Sequence, residues 1–463
     1  MANKQQKIQH LYLRAGFGET PSFISQKKNT PVEKLIDELF NSTKQYRLLT
    51  HLENPAKGKD VSSIRILIMI LRSPEQLRVL NNEWIKIIAD TKAPLREKMT
   101  IFWHDHFATS SPLAYLQQVQ NNTLRKYALG NFDKLLHAIA RDPAMILYLN
   151  NQQNKKDAPN ENFAREVMEL FTLGEGNIYR ESDIKEAARA FTGWTVNKKG
   201  LFEFVENEHD SGEKEFLGRK GNLKGEDIIN ILLEEKQTAK YVVTKIYKEF
   251  VNEYPDKEII NKLADDFYNS GYDISKLMRS IFTAEWFYED KNIGSRIVSP
   301  VELLLRYKKL IALDFKEDKA QLNFQKVLGQ VLFFPPNVAG WPGGRNWVDS
   351  STLTLRMNMP VKIIQGGGFD IRPKPEFEDV SDEAMLKTKK KAEVYSDWSK
   401  IVSAFKSVKK EDLTAMVIES FIQSPIEKID KQLIENYVDH SSDEKRIIST
   451  VGLVMSLPEF QIV

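Results

Sequence analysis

Apolar residues recur at spacings of three and four along nearly the whole chain, a period that builds helices rather than strands. Residues 31–41 show it plainly. Val32, Leu35, Ile36, Leu39 and Phe40 share one face behind Pro31, whose locked φ suits a first helical turn. The pattern continues in a very apolar stretch over 61–72, a run that Pro74 opens toward Ala89, and another that Pro94 opens through Phe107. It resumes over 113–130, 132–140, 159–173 and 183–191, then over 225–235, 237–252, 256–270, 273–287, 299–312 and 321–332, and from 397 to 457.

One interval breaks the period. Over 194–217, Phe202 and Phe204 alternate with charged residues, and 197–200 carries turn chemistry. The expected fold is therefore all-α: a multi-helix globular body with a small β-hairpin insertion near 194–217. Its expected parts are an N-terminal helical lobe over 1–193, the hairpin excursion over 194–222 and a C-terminal helical lobe over 223–463, either separate or one continuous domain. Three consecutive glycines, scattered prolines and a lysine run make 365–396 an expected flexible loop.

Composition removes several function classes. With 66 basic against 64 acidic residues the net charge is +2, so there is no general basic field for a nucleic-acid backbone. The absence of cysteine removes disulfides, thiolate catalysis and thiolate-bound metals. No stretch reaches the roughly 20 apolar residues of a membrane span. The first residues hold no apolar core of signal-peptide length, which makes the cytoplasm the default compartment and leaves export open. No G-x-S-x-G, H-E-x-x-H or dinucleotide-binding glycine pattern is present, which argues against standard serine hydrolases, zincins and dinucleotide enzymes.

Four groups of polar residues stand out. On the helix over 159–173, Asn162, Glu166 and Glu169 stack at spacings of four and three beside Arg165, either as a solvated stripe or as a carboxylate cluster for acid–base work. His104 and His106 sit two apart, about 200° around a continuous helix, so they chelate one metal only if the helix ends between them. The alternative for His106 is a core histidine bonded to a carbonyl or carboxylate. His209 and Asp210 read either as turn residues or as an imidazole and its carboxylate brought over the helices. In the Pro/Gly-rich stretch over 333–349, Trp341 and Trp347 offer stacking surfaces and Arg345 a planar donor fork, unless the loop only closes the core. With Glu166, the two histidines form an oxygen and nitrogen donor set that would suit a divalent metal such as Mg, Mn, Fe or Zn.

Several strings resemble one family: REKMTIFWHDHF (96–107), PNENFAREVMELFTLGEG (159–176), HDSGEKEFLG (209–218), SPVELLLR (299–306) and PPNVAGWPGGRNWVDSSTLTLRMN (335–358), with shorter ones from residue 10 to the C-terminus. Together they are similar to the bacterial domain-of-unknown-function family 1800. The resemblance favours a partly buried carboxylate cluster on the helix over 159–173. It also implies a partner protein, because members often neighbour a second family with sulfatase-like features. At 298 the family more often has Lys where this chain has Val. Two classes of function remain open: a metal-binding or carboxylate/histidine acid–base enzyme, and a non-catalytic partner or scaffold. Carbohydrate binding through Trp341 and Trp347 is a third.

Overall fold

The computed structural model describes residues 2–366, 393–423 and 426–463. Across them run 21 α-helices and three two-stranded antiparallel sheets. Most of the flexible loop expected over 365–396 lies outside the described residues. Among the described residues no helix is long and apolar enough to cross a membrane.

The helices begin where local chemistry lets them. Ser299 caps Pro300–Ile311 by accepting the Glu302 N–H, and the Glu302 carboxylate returns to the Ser299 N–H in a reciprocal cap. One expectation is corrected: the apolar stretch over 61–72 and the run after Pro74 form a single helix, Ser63–Ala89. Proline removes one N–H and leaves the carbonyl four residues back unpaired. Here Pro74 and Ile70 lie on an exposed side, where water can meet that carbonyl.

The break in period at 194 makes two hairpins rather than one. Trp194–Val196 pairs with Phe202–Phe204, and Lys214–Phe216 pairs with Arg219–Gly221. Asn197 holds the first turn by accepting the N–H groups of Lys199 and Leu201 at 3.0 and 3.2 Å. A third pair, Asp314–Phe315 with Val394–Tyr395, has strands too short to show any alternation in sequence.

The buried apolar side chains fall into two clusters. One draws on residues from Ile8 to Tyr288, and the other on the Ser63–Ala89 helix and on residues from Val298 to Val463. Pro94–His106 serves both: Met99 and Trp103 pack in the first, Ile101 in the second. A helix buried on every side must satisfy its polar residues internally. Glu97 does so through Arg125 (2.7 and 3.1 Å) and the Trp84 indole N–H (3.0 Å), all fully buried.

Candidate functional site

Lys98, Phe102 and Asp105 lie four and three residues apart on Pro94–His106, so they line one face of it. That face looks into a cleft of about 320 Å³. Lys245, Lys248 and Glu249 of Lys236–Phe250 form the facing wall. Arg296, Ser299, Glu302 and Gln330 close the inner end, and Trp341, Gly343, Gly344 and Trp347 of the Pro/Gly-rich loop cover the mouth.

The inner end is ionic and out of water. Lys98, Arg296 and Glu302 are 2%, 4% and 5% exposed. Arg296 reaches Glu302 Oε1 at 2.5 Å and Glu249 Oε1 at 3.2 Å. Lys98 Nζ abuts the same Glu302 oxygen and lies 3.8 Å from Glu249. Burial holds the Lys98 ammonium well below the usual lysine range, and the nearby guanidinium groups of Arg296 and Arg14 push the same way. Taking several charges out of water costs energy that pairing only partly offsets.

Asp105 defines the outer end. Its Oδ1 accepts the Trp341 N–H at 2.7 Å. Gly340 makes that approach possible: its φ is +85°, and a Cβ there would overlap Asp105 Oδ1. Burial pushes the Asp105 carboxyl up to about 6 against the opposing pull of Lys245, whose own ammonium is lowered by burial. Asp105 Oδ2 takes no hydrogen bond among the described residues. Asp142 is pushed further, to about 7, yet it caps Pro143–Tyr148 and accepts from Gln120 without lining the cleft. A raised carboxyl alone therefore marks no site; one facing a cavity does.

The residues singled out in the sequence are scattered. Trp341 and Trp347 line the cleft, both nearly buried, while Arg345 stands outside it and bonds the Tyr254 hydroxyl at 2.9 Å. His104 faces away from the cleft between Trp84, Phe333 and Trp341, and its Nε2 accepts the Phe333 N–H at 3.0 Å. Burial, with help from Arg125, lowers it to about 3, so the imidazole is neutral. His106 packs among Trp103, Phe107 and Phe171 and places Nε2 3.2 Å from the Phe171 carbonyl. The helix is unbroken between the two histidines, so they diverge.

Asn162 is exposed. Arg165 gathers Glu161, Glu169 and Glu181 at 3.2, 3.3 and 2.8 Å, and Glu169 also accepts the Tyr179 hydroxyl at 2.8 Å. Glu166 is half-buried, and burial and Glu169 raise its carboxyl. His209 holds Thr192 through Nδ1, 3.0 Å from the carbonyl, and Asp210 is paired with Arg189 at 2.7 Å. These contacts pin the hairpin region to Glu181–Ala190. None of Asn162, Arg165, Glu166, Glu169, His209 or Asp210 lines the cleft. Among the described residues, no group of three or more His, Asp or Glu side chains is placed to hold a metal ion. Val298 is fully buried in the second core.

A match to one known family covers residues 10–462, which includes every wall of the cleft. The chain belongs to the family described as Protein of unknown function (DUF1800). No curated protein and no solved structure matches it. Three strings that carry the DUF1800 resemblance meet at the cleft. REKMTIFWHDHF supplies Lys98 and Asp105, SPVELLLR supplies Ser299 and Glu302, and the loop string supplies Trp341 and Trp347. The strings holding Glu166 and His209 lie elsewhere. Sequence reasoning passed over Lys98, Asp105, Lys245, Glu249, Arg296 and Glu302. One signal was available: Lys98, Phe102 and Asp105 stand four and three apart, so the two charges share one face of this helix.

Proposed function

We propose that the cleft binds a small polar ligand and that Asp105, with Lys245 beside it, moves a proton to or from that ligand. The observation that carries this reading is a carboxyl group facing a cavity and poised at about 6. Such a group holds both protonation states near neutrality, the condition for general acid–base work. Phe102, Trp341 and Trp347 supply an apolar wall, and about 320 Å³ is within the range of small-molecule sites. A divalent metal on His104, His106 and Glu166 is the less favoured version, because each histidine already spends a ring nitrogen on the backbone and the two point apart. The test is a panel of small esters, amides and glycosides offered to the protein and to Asp105→Asn. Loss of a detected turnover by about 10²-fold or more is expected. Wild-type turnover in Asp105→Asn would refute the proton-transfer role.

One observation favours a second, compatible reading. The first turns of Ser63–Ala89 expose Ile64 (75%), Leu67, Ile68 and Leu71 (73%) on one outward stripe. Arg65 and Arg72, seven apart, flank it, and no acidic residue lies between 61 and 74. Patches of this kind on a monomer are commonly functional. We infer that a protein partner covers it with an apolar helix carrying acidic residues along one edge, and a sulfatase-like neighbour is the candidate. Co-purification should be lost in Ile64→Glu with Leu71→Glu. If the doubly substituted chain keeps the neighbour bound, this surface is not the contact.

A further inference from the structure

We propose that the inner end of the cleft is an oxyanion subsite, so that the ligand carries a carboxylate, phosphate or sulfate group held by Arg296 and Lys98. This deepens the acid–base reading and rests on the cleft being a ligand site.

The first argument is charge. Counting side chains, Arg14, Lys98 and Arg296 bring three cations to the inner end, while Glu249 and Glu302 bring two carboxylates. Arg14 stands directly behind: it donates to the Asn292 carbonyl and the Ser295 hydroxyl, at 3.0 and 2.9 Å, and among the described residues feels Glu249 without pairing with it. One positive charge is thus left without an anion in a place that water scarcely reaches. Excess buried charge is costly, and a ligand anion would offset it. Burial first, then the neighbouring guanidinium groups of Arg296 and Arg14, depress the Lys98 ammonium, and a ligand anion beside it would favour its protonated form.

The second argument is an orphaned donor. Arg296 is 4% exposed and lines the cleft, yet its Nε–H has no acceptor among the described residues. Buried N–H groups are almost always paired. Nη1 pairs with Glu249 and Nη2 with Glu302, which leaves Nε–H as a buried donor with no partner among the described residues. Arg14 Nε and Nη1 are orphaned in the same way just behind it.

The third argument is what cannot do the work. The N-terminus of Pro300–Ile311 points its positive end here, but its first N–H groups are already used. Ser299 Oγ takes that of Glu302, and Gln330 Oε1 takes that of Val301 at 3.0 Å. The helix adds field and no free donor. Binding therefore falls to the side chains of Arg296 and Lys98, with exposed Lys248 at the rim to draw the anion in.

A ligand anchored there by its anion spans the cleft between Phe102 and the two tryptophans and presents its other end to Asp105. The implied substrate is a small acid or an anionic ester with a proton-labile or hydrolysable group beside the charge.

The test is calorimetric titration of the full chain with inorganic phosphate, sulfate and malonate, against chloride at matched ionic strength. Saturable binding of at least one, beyond chloride, is expected. Tighter phosphate or sulfate binding points to an ester anion, and tighter malonate binding to a carboxylate. Arg296→Gln and Lys98→Met should each weaken binding about tenfold or more. Because both sit in a buried network, Lys248→Glu at the rim is the control that leaves folding alone, and it should weaken binding about threefold or more. No binding above chloride, or undiminished binding in Lys248→Glu and in whichever inner variant folds, overturns the subsite. Asp105→Asn, which removes a carboxylate from the cleft, should bind the anion at least as tightly as wild type, so failure of the subsite and failure of the proton-transfer reading are read separately.

Discussion

Replacing Asp105 by asparagine should stabilise the protein, and by an amount that depends on pH. A carboxyl group at about 6 in the folded chain, against an ordinary 3.8, means that the folded state takes up its proton first as pH falls. Between those values the folded chain binds more protons than the unfolded chain, so wild-type stability falls as pH rises through that window. Two pKa units correspond to about 3 kcal/mol, fully felt above pH ~6 and absent below pH ~4. Asparagine carries no charge and escapes this cost. It keeps an oxygen for the Trp341 N–H, and the pull of Lys245 on the carboxylate is already contained in the raised value. The expected net gain is about 3 kcal/mol at pH 7.5, vanishing near pH 4. Urea unfolding of both proteins at half-unit steps from pH 4 to 8 measures it. A stability difference that stays flat with pH would refute the reasoning, because it would mean that the Asp105 carboxyl is not displaced. A residue retained at such a cost is what a working site requires.

Other perturbations separate structure from function. Gly340→Ala places a methyl against Asp105 at a φ of +85° and should cost roughly 1–3 kcal/mol, with a change in tryptophan fluorescence as Trp341 shifts; an unchanged melting point contradicts it. Glu97→Gln leaves Arg125 buried with no counter-ion and should destabilise by about 3–5 kcal/mol, the largest effect expected of a single polar change here. Glu166→Gln with Glu169→Gln should move stability by no more than about 1 kcal/mol and leave anion binding at the cleft unaltered, since both stand on a partly solvated stripe away from it. Chemical unfolding and the same calorimetric titration check these last two.

The fold was largely legible because periodicity is a local property. Val32, Leu35, Ile36, Leu39 and Phe40 announce their helix without knowing what covers it, and Phe202 and Phe204 announce a strand. Pro74 misled because whether a proline breaks a helix depends on whether the stranded carbonyl meets water, which is a matter of tertiary position. The site was less legible for a related reason. Histidines and stacked glutamates attract notice, but His104, His106 and Glu166 point to three different surroundings. Lys98, Arg296 and Glu302 look like ordinary solvated charges one by one, and only the packing of stretches about 200 residues apart takes them out of water together. Trp341 and Trp347 were visible as a cluster, and the structure places both beside the cavity. Lys98 and Asp105 were the readable clue, as two opposite charges seven apart on one face of a helix.

The most direct measurement is the carboxyl ¹³C titration of aspartate-labelled protein, with the Asp105 resonance assigned by its loss in Asp105→Asn. An Asp105 midpoint near pH 6, displaced when a cleft ligand or anion is added, is the predicted result. A midpoint near 4 that ignores every added ligand would leave Asp105 a simple tether for the Trp341 backbone and the cleft an unfilled gap between two cores.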